Sequence, residues 1–485
     1  MTLSLTRQEL CSVVNGQTLT SDATISFRGV EFDSRNIKGG ELFLAMPGAR
    51  QHGHSYVSEV FSRGASLALV EDGELFDSHP EKDRIVVVPS TFKAFAKLAK
   101  WWREQLALPV LGITGSTGKT TVKEICAALL LQSGPGVYSL KSYNNHVGLP
   151  YTLCQASKEH KWCVLEMGMN APGEMLELAT VAQPDVAVIT EVSQAHMEAF
   201  SSLFEVADAK LEILKGNPPP KVLIIPTTNK YILDRLPVHR ADSTRVIYFS
   251  EESKGDQAEC VVKKATAIGL DGWDITLQVG KELINFVLPM LGKHNVLNAA
   301  SAVLAVKTLV PEITVQQIEK GFTRLRPPQM RLQKRQLANG AVIIDDSYNA
   351  SPNSMRAALE VLSSCREIKP DCRIGCVLGE MLELGQEAKR LHLELGEDIA
   401  SIRPDFLIAL GNFNPEMVKG CKREKITYFE VQSAEAAAHT ALKCDFDFLL
   451  IKGSRGIGLD RTVEVLIEKI GLEVPPSGAD FKFHN

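Results

Sequence analysis

The sequence reads as an α/β protein of three domains: a small α/β domain, a central parallel-sheet domain built on a phosphate-binding loop, and a last, doubly wound domain. Three observations predict this. The apolar run Pro109-Val-Leu-Gly-Ile passes through a glycine loop into Val122-Lys-Glu-Ile-Cys-Ala-Ala-Leu-Leu, whose apolar residues recur at helical spacing. Beyond residue 324, short apolar strands alternate with helical stretches again, the pattern of a parallel sheet covered on both faces. A chain of 485 residues also exceeds what one hydrophobic core holds.

Composition narrows the class. Hydrophobic residues make up 45% and charged residues 23% of the chain, ordinary values for a soluble globular protein. A net charge of −5 offers no electrostatic case for nucleic acid or an anionic membrane as partner. The start, Met1-Thr-Leu-Ser-Leu-Thr-Arg, has no apolar h-region, and no apolar run approaches spanning length, so no membrane insertion is expected. Ten cysteines are scattered without paired metal spacing, and Cys372 and Cys376 read as core residues of one strand. A reducing, cytoplasmic location follows as the expectation.

In the first hundred residues, Phe32-Asp-Ser-Arg-Asn-Ile-Lys-Gly-Gly-Glu-Leu-Phe-Leu-Ala-Met-Pro-Gly48 reads as strand, turn and strand, with a polar knot at Asp33-Ser34-Arg35. A second knot, Arg50-Gln-His-Gly-His54, precedes a helix ending at Ser62-Arg-Gly, and Ala65-Ser-Leu-Ala-Leu-Val70 is a strand. Such knots serve as turns and caps or as a site for a compact polar ligand. An amphipathic helix from Thr91 to Leu106 leads out, placing the first boundary at residues 104/105.

The central domain, 105–323, opens with Leu111-Gly-Ile-Thr-Gly-Ser-Thr-Gly-Lys-Thr-Thr121. Gly115, Ser116, Thr117, Gly118 and Thr121 line a cradle whose backbone N–H groups and helix dipole face one anion. Lys119 reaches the outer phosphates and the Thr120 hydroxyl sits on Mg²⁺. The strict G-x-x-x-x-G-K-[ST] spacing fails, because position 113 is Ile. Next comes Ser142-Tyr-Asn-Asn-His-Val-Gly-Leu-Pro150, a turn dense in amides at Asn144 and Asn145, then Trp162-Cys-Val-Leu-Glu-Met-Gly168. Glu166, at the end of a strand beside such a loop, is placed to hold Mg²⁺. His196 follows the strand Asp185-Val-Ala-Val-Ile-Thr190; on an apolar face it would read as a core histidine, but at a strand end in a polar segment it points toward a site. Lys210 stands among apolar neighbours on a helix, and by itself reads as a snorkelling lysine. A β-rich insert, about 258 to 291, turns at Asp271-Gly, and Gly292-Lys-His-Asn295-Val-Leu-Asn298 then opens a helix. Asn295 and Asn298 share one helical face and suit either a purine edge or helix capping.

Arg324-Leu-Arg-Pro-Pro-Gln-Met-Arg331 reads as a linker into the last domain, 324–485. Val342-Ile-Ile-Asp-Asp346 is a strand ending in two carboxylates, followed by the polar loop Ser347-Tyr-Asn-Ala-Ser-Pro-Asn-Ser354. Strands within Arg373–Gly379, Phe406–Gly411 and Phe448–Gly456 complete the doubly wound pattern. No G-x-G-x-x-G follows the domain's first strand, Val342–Asp346, so a dinucleotide is not favoured.

Together these stretches resemble the Mur ligase family, the ATP-dependent amide-forming enzymes of peptidoglycan precursor synthesis. Its G-x-T-G-x-x-G-K-T loop accounts for the displaced Walker glycine. Asn144-Asn-His-Val-Gly-Leu-Pro, Leu165-Glu-Met-Gly-Met, Asp345-Asp-Ser-Tyr-Asn-Ala-Ser-Pro-Asn-Ser-Met355 and Leu378-Gly-Glu-Met-Leu-Glu-Leu-Gly385 are similar to the branch that adds D-alanyl-D-alanine. The branch adding the third residue has an Asp-Tyr-Ala-His-Thr-Pro type loop and an Asp-Asn-Pro-Arg type motif, the latter absent here. The resemblance covers nearly the whole chain.

It implies a first domain that binds UDP-N-acetylmuramoyl-tripeptide, a central P-loop ATPase domain and a C-terminal Rossmann-like ligase domain. By its motifs, Lys119 serves the β/γ-phosphates, Thr120 and Glu166 one Mg²⁺, and His196 a second. Lys210 matches the family's carbamylated lysine and is expected to help organise that second metal. Asn295 and Asn298 resemble adenine-side amides, Arg331 and Asp346 nucleotide contacts. Ser34 and Arg35 match the motif holding the UDP-sugar, and Tyr348 and Asn349 the loop facing the incoming dipeptide. A monomer is expected. Three departures stand out: His52-Gly-His in place of Asp-Gly-His, Met330 in place of the glycine before Arg331, and Pro226-Thr-Thr-Asn229-Lys in place of an Asn-x-Asp turn. Rival readings are a folylpolyglutamate-type ligase, a P-loop nucleotide switch without ligase activity, and a small-molecule kinase, which leaves the last domain unexplained.

Overall fold

The structure, a computed structural model, describes residues 2–20, 25–48, 51–140, 142–194, 199–240, 242–251, 257–421 and 426–473. His196 lies outside the described residues. The chain divides into two compact units: Met1–Val192, Phe204–Val261 and Ala300–Gly321 form the first, and Ser193–Leu203, Val262–Ala299 and Phe322–Asn485 the second.

Beside a two-stranded pair, Ser4–Thr6 with Ser26–Arg28, the first unit holds two larger sheets. The smaller runs in the order Gln17–Thr18, Ile85–Val87, Leu67–Val70, Leu42–Leu44, Val30–Glu31. Of the stretch expected as strand, turn and strand from Phe32, the first strand sits earlier, at Val30–Glu31, and pairs in parallel with Leu42–Leu44. Its return is made by a 3₁₀ turn at Ser34–Asn36 and by Gly39 and Gly40, both at positive φ, a conformation glycine adopts without a Cβ penalty. Phe43, Val57, Val60, Phe61, Val70 and Phe76 fill the core beside this sheet.

The larger sheet places Arg245–Glu251, Val222–Pro226, Val186–Ile189, Val110–Thr114, Cys163–Glu166 and Val137–Tyr138 side by side, all pairing in parallel. Its three middle strands are buried along their whole length, as strands covered by helices on both faces must be. That is why they read as unbroken apolar runs. Register aligns Ile189 with Thr114 and Glu166 with Ile113. The loops that leave these strands therefore emerge at one edge, the carboxyl end, where such sheets bind ligands.

The second unit is built on a six-stranded sheet, ordered Gln333–Gln336, Val342–Asp346, Phe448–Lys452, Ile374–Gly379, Phe406–Leu410, Thr427–Val431. Only its first strand runs antiparallel. One face is covered by Pro352–Ile368 and Ala388–Ile402, the other by Ala434–Ala441 and Asp460–Ile470. Cys376 lies in the third of its middle strands, whereas Cys372 precedes that strand; both join one core, as their apolar setting implied. The hairpin Trp273–Val279 with Glu282–Leu288 also belongs here, and its Phe286 stacks on Phe322 at 3.6 Å. Among the described residues no helix is long and apolar enough to cross a membrane.

Met330 takes φ +58°, which explains why a glycine is usual at its position. A left-handed non-glycine residue costs about 1 kcal/mol or more, and the lost chain entropy of glycine offsets about 0.5–1 kcal/mol of any relief. Met330→Gly is therefore expected to leave the thermal midpoint nearly unchanged. Met330→Val, with a β-branched side chain at positive φ, lowers it clearly; equal midpoints for the two variants would contradict this backbone account.

Candidate active site

At the head of the first unit's large sheet, Gly115 could not be any other residue. A Cβ there would sit 1.9 Å from Thr190 Oγ1. Gly118 caps the helix Lys119–Leu130 from φ +82° with no side chain bonded to the helix start, so the first amides face the loop. Two residues the sequence analysis passed over brace that loop. Thr190 Oγ1 donates to Thr117 O at 2.5 Å, while Glu191 accepts from Thr117 Oγ1 through its carboxylate and from Ser116 N through its carbonyl, both at 2.8 Å. Their signal was only positional: Thr190 ends, and Glu191 follows, the apolar run Asp185–Thr190 of the same domain. Lys119 Nζ lies over the loop, 2.5 Å from Gly115 O.

Glu166 is the centre of this site. It is 1% exposed, and both its oxygens are directed: Oε2 accepts from Thr120 Oγ1 at 2.9 Å and Oε1 from Asn144 Nδ2 at 2.8 Å. Ser139 Oγ accepts from the Glu166 amide, and the ammonium of fully buried Lys123 donates to Ser139 O. A buried carboxylate beside a threonine hydroxyl at a phosphate loop is an all-oxygen donor pair, which suits Mg²⁺ completed by phosphate and water oxygens. Among the described residues no three His, Cys, Asp or Glu side chains cluster as a protein-only metal cage.

Asn145 has a different place from its neighbour. Its side-chain oxygen accepts from Val147 N and Gly148 N at the start of the helix Gly148–Cys154. Lys210, on Leu203–Leu211, is 2% exposed; burial, and then the nearby Lys119 charge, push its pKa well below the usual lysine value. Its amine is thereby held toward the neutral form, which excludes the snorkelling reading.

The smaller sheet contributes the loop with Ser34 and Arg35. Asp33 caps its 3₁₀ turn and clasps the exposed Arg35 guanidinium. Buried Glu31 ties the loop down: Oε1 accepts from Phe32 N and Asp33 N, and Oε2 from Tyr151 OH at 3.1 Å. Phe32 meets the Tyr151 ring edge-on at 5.1 Å and lies 6.4 Å from that of Tyr143, the neighbour of Asn144. The second knot also resolves into structure. His52 Nδ1 accepts from His54 N, an acceptor role an aspartate would fill equally well, and His54 Nε2 accepts from Glu71 N. Asn229 caps Lys230–His239 and donates to Val192 O.

The second unit carries its own cluster. Asp346 Oδ1 accepts from Leu332 N, and Oδ2 lies 2.6 Å from the ammonium of Lys452. Arg331 stacks its guanidinium over the Tyr348 ring at 4.2 Å. Asn295 donates to Leu291 O and accepts from Asn298 Nδ2, so the two amides meet each other.

Three family models match the chain: "Mur ligase family, catalytic domain" over residues 26–103, "Mur ligase middle domain" over 113–306, and "Mur ligase, glutamate ligase domain" over 330–455. The UDP-N-acetylmuramoyl-tripeptide–D-alanyl-D-alanine ligase of Escherichia coli is 31% identical, over 96% of this chain and 99% of its own. The crystal structure of MurF from Acinetobacter baumannii superposes with a TM-score of 0.84 at 28% identity, covering 96% of this chain and 99% of that one. That of MurF ligase from Thermotoga maritima in complex with ADP gives 0.75 at 25% identity, covering 91% and 97%.

Glu166→Gln keeps an acceptor for the Thr120 hydroxyl but removes the charge. Stability should hold within about 1 kcal/mol, while nucleotide turnover falls by about 10²-fold or more. Steady-state kinetics beside a thermal melt check this, and near-normal turnover would remove Glu166 from the site.

Proposed function

We propose that this chain, which belongs to the Mur ligase family, is the ATP-dependent ligase that joins D-alanyl-D-alanine to UDP-N-acetylmuramoyl-tripeptide, releasing ADP and phosphate, in peptidoglycan precursor synthesis. The observation that carries this is the buried Thr120–Glu166–Asn144 cluster on the phosphate loop, in a chain alike along nearly its full length to ligases of that name. Full-length likeness to dipeptide-adding ligases leaves the glutamate-adding alternative and the nucleotide switch without support. Residues 1–104, 105–323 and 324–485 are proposed as the UDP-peptide, ATP and ligase domains, in a cytoplasmic monomer.

In this reading the loop amides of Gly115–Thr121 and Lys119 bind and orient the ATP phosphates. Thr120 and Glu166 would hold Mg²⁺, with His196 and a carbamylated Lys210 serving a second ion, and the metal spreads the charge that opposes attack of one anion on another. The apolar burial of Lys210 supports carbamylation, since only a neutral amine meets CO₂. Ser34 and Arg35 hold the UDP-sugar, and Asn144 and Asn145 serve as further substrate contacts. The tripeptide carboxylate attacks the γ-phosphorus and ADP leaves, giving an acyl phosphate. The free amine of the dipeptide, presented by the Tyr348-Asn349 loop, then attacks the acyl carbon and expels phosphate. Asn295, Asn298, Arg331 and Asp346 are proposed as nucleotide contacts.

Phosphate release from ATP, omitting the UDP-tripeptide or the dipeptide in turn, tests the proposal. Release is expected only with both, together with a pentapeptide product by mass. Release without either substrate would favour the switch, and release with glutamate in place of the dipeptide would favour the other ligase class.

A further inference from the structure

Lys452 ends the strand Phe448–Lys452 and pairs in register with Asp346 on the neighbouring strand. Its side chain is 2% exposed. The ammonium reaches two acceptors: Asp346 Oδ2 at 2.6 Å and the backbone carbonyl of Asn349 at 2.8 Å. These belong to the two parts of this unit proposed above to meet substrates, the carboxylate serving the nucleotide and the loop serving the dipeptide. Stability does not explain such a pair, because a buried ion pair is often no better than an apolar pair of equal volume. Fixed geometry does explain it. Asp346 has its other oxygen on Leu332 N at 3.0 Å, so the Lys452 bond completes its orientation. Asn349 Oδ1 accepts from Ala350 N, which leaves its carbonyl to be held from outside the loop. Lys452 supplies that hold.

We infer that Lys452 is a positioning residue for amide formation: one buried ammonium sets both the Asp346 carboxylate and the backbone of the Tyr348-Asn349 loop, so that nucleotide contact and amine presentation share a single support. This rests on the ligase reading above. It assigns the lysine no contact with the reacting atoms. Its loss should leave binding of the UDP-peptide alone and disturb the steps served by the second unit.

The test uses full-length enzyme with Lys452→Met and Lys452→Arg, measuring kcat, KM for each of the three substrates, and the thermal midpoint. For Lys452→Met the expected result is a KM for D-alanyl-D-alanine raised about tenfold and kcat lowered about 30-fold or more, with KM for the UDP-tripeptide within about twofold. The Arg variant, which keeps a charged donor, should recover much of kcat. A folded Met variant with all constants near wild type would overturn the inference, and so would an equal rise in all three KM values. Should Lys452→Met fail to fold, Lys452→Arg decides: the longer fork should raise the dipeptide KM about threefold or more at unchanged KM for the UDP-tripeptide, and wild-type constants would overturn the inference. Wild-type enzyme without dipeptide-dependent turnover would instead sink the ligase reading itself.

Discussion

Everything proposed for the first unit depends on one buried carboxylate held between a hydroxyl and an amide. Glu166 would be costly to bury unpaired, and the chain meets that cost from two separate segments. Thr120 comes from the phosphate-loop helix and Asn144 from the amide-rich turn, while Ser139 takes the Glu166 backbone amide. Parallel register brings them together, because strands Val110–Thr114 and Cys163–Glu166 end side by side. Each of its oxygens receives one donor, so the side chain is held in a single direction.

From that point, contacts run outward to the loop with Ser34 and Arg35. Asn144 follows Tyr143, whose ring faces Phe32, and Phe32 N bonds to Glu31, which also holds Tyr151 and Asp33 N. The loop with Ser34 and Arg35 is thus fastened to the segment that orients the proposed metal ligand. Elsewhere in the fold, the second unit repeats the principle with the opposite sign of charge at its centre. There a buried ammonium, Lys452, is shared between a carboxylate and a backbone carbonyl.

Much of this was legible in the sequence for physical reasons. Strands buried on both faces must be apolar throughout, so Val110–Thr114, Cys163–Glu166 and Val186–Ile189 stood out. The phosphate loop needs its glycines, and Gly115 against Thr190 shows why. Lys210 is the instructive case. Its local sequence suggests a snorkelling side chain, and only the packing around it reveals complete burial. Thr190, Glu191, Glu31 and Lys452 escaped notice because their roles arise from partners distant in sequence, as with Lys452 and Asn349, which are 103 residues apart. The parallel pairing of Val30 with Leu42 was not legible, since a strand-turn-strand pattern does not fix the direction of pairing. Met330 looked like a missing glycine, yet the backbone keeps the glycine's conformation.

The central claim is that phosphate is released from an acyl phosphate of the peptide substrate, not from water attacking ATP. The most direct measurement supplies UDP-tripeptide with a heavy oxygen isotope in its terminal carboxylate, together with ATP and D-alanyl-D-alanine. The account predicts that each phosphate released carries an oxygen from that carboxylate, seen by mass spectrometry. Phosphate carrying oxygen from solvent instead would mean simple ATP hydrolysis and would contradict the account.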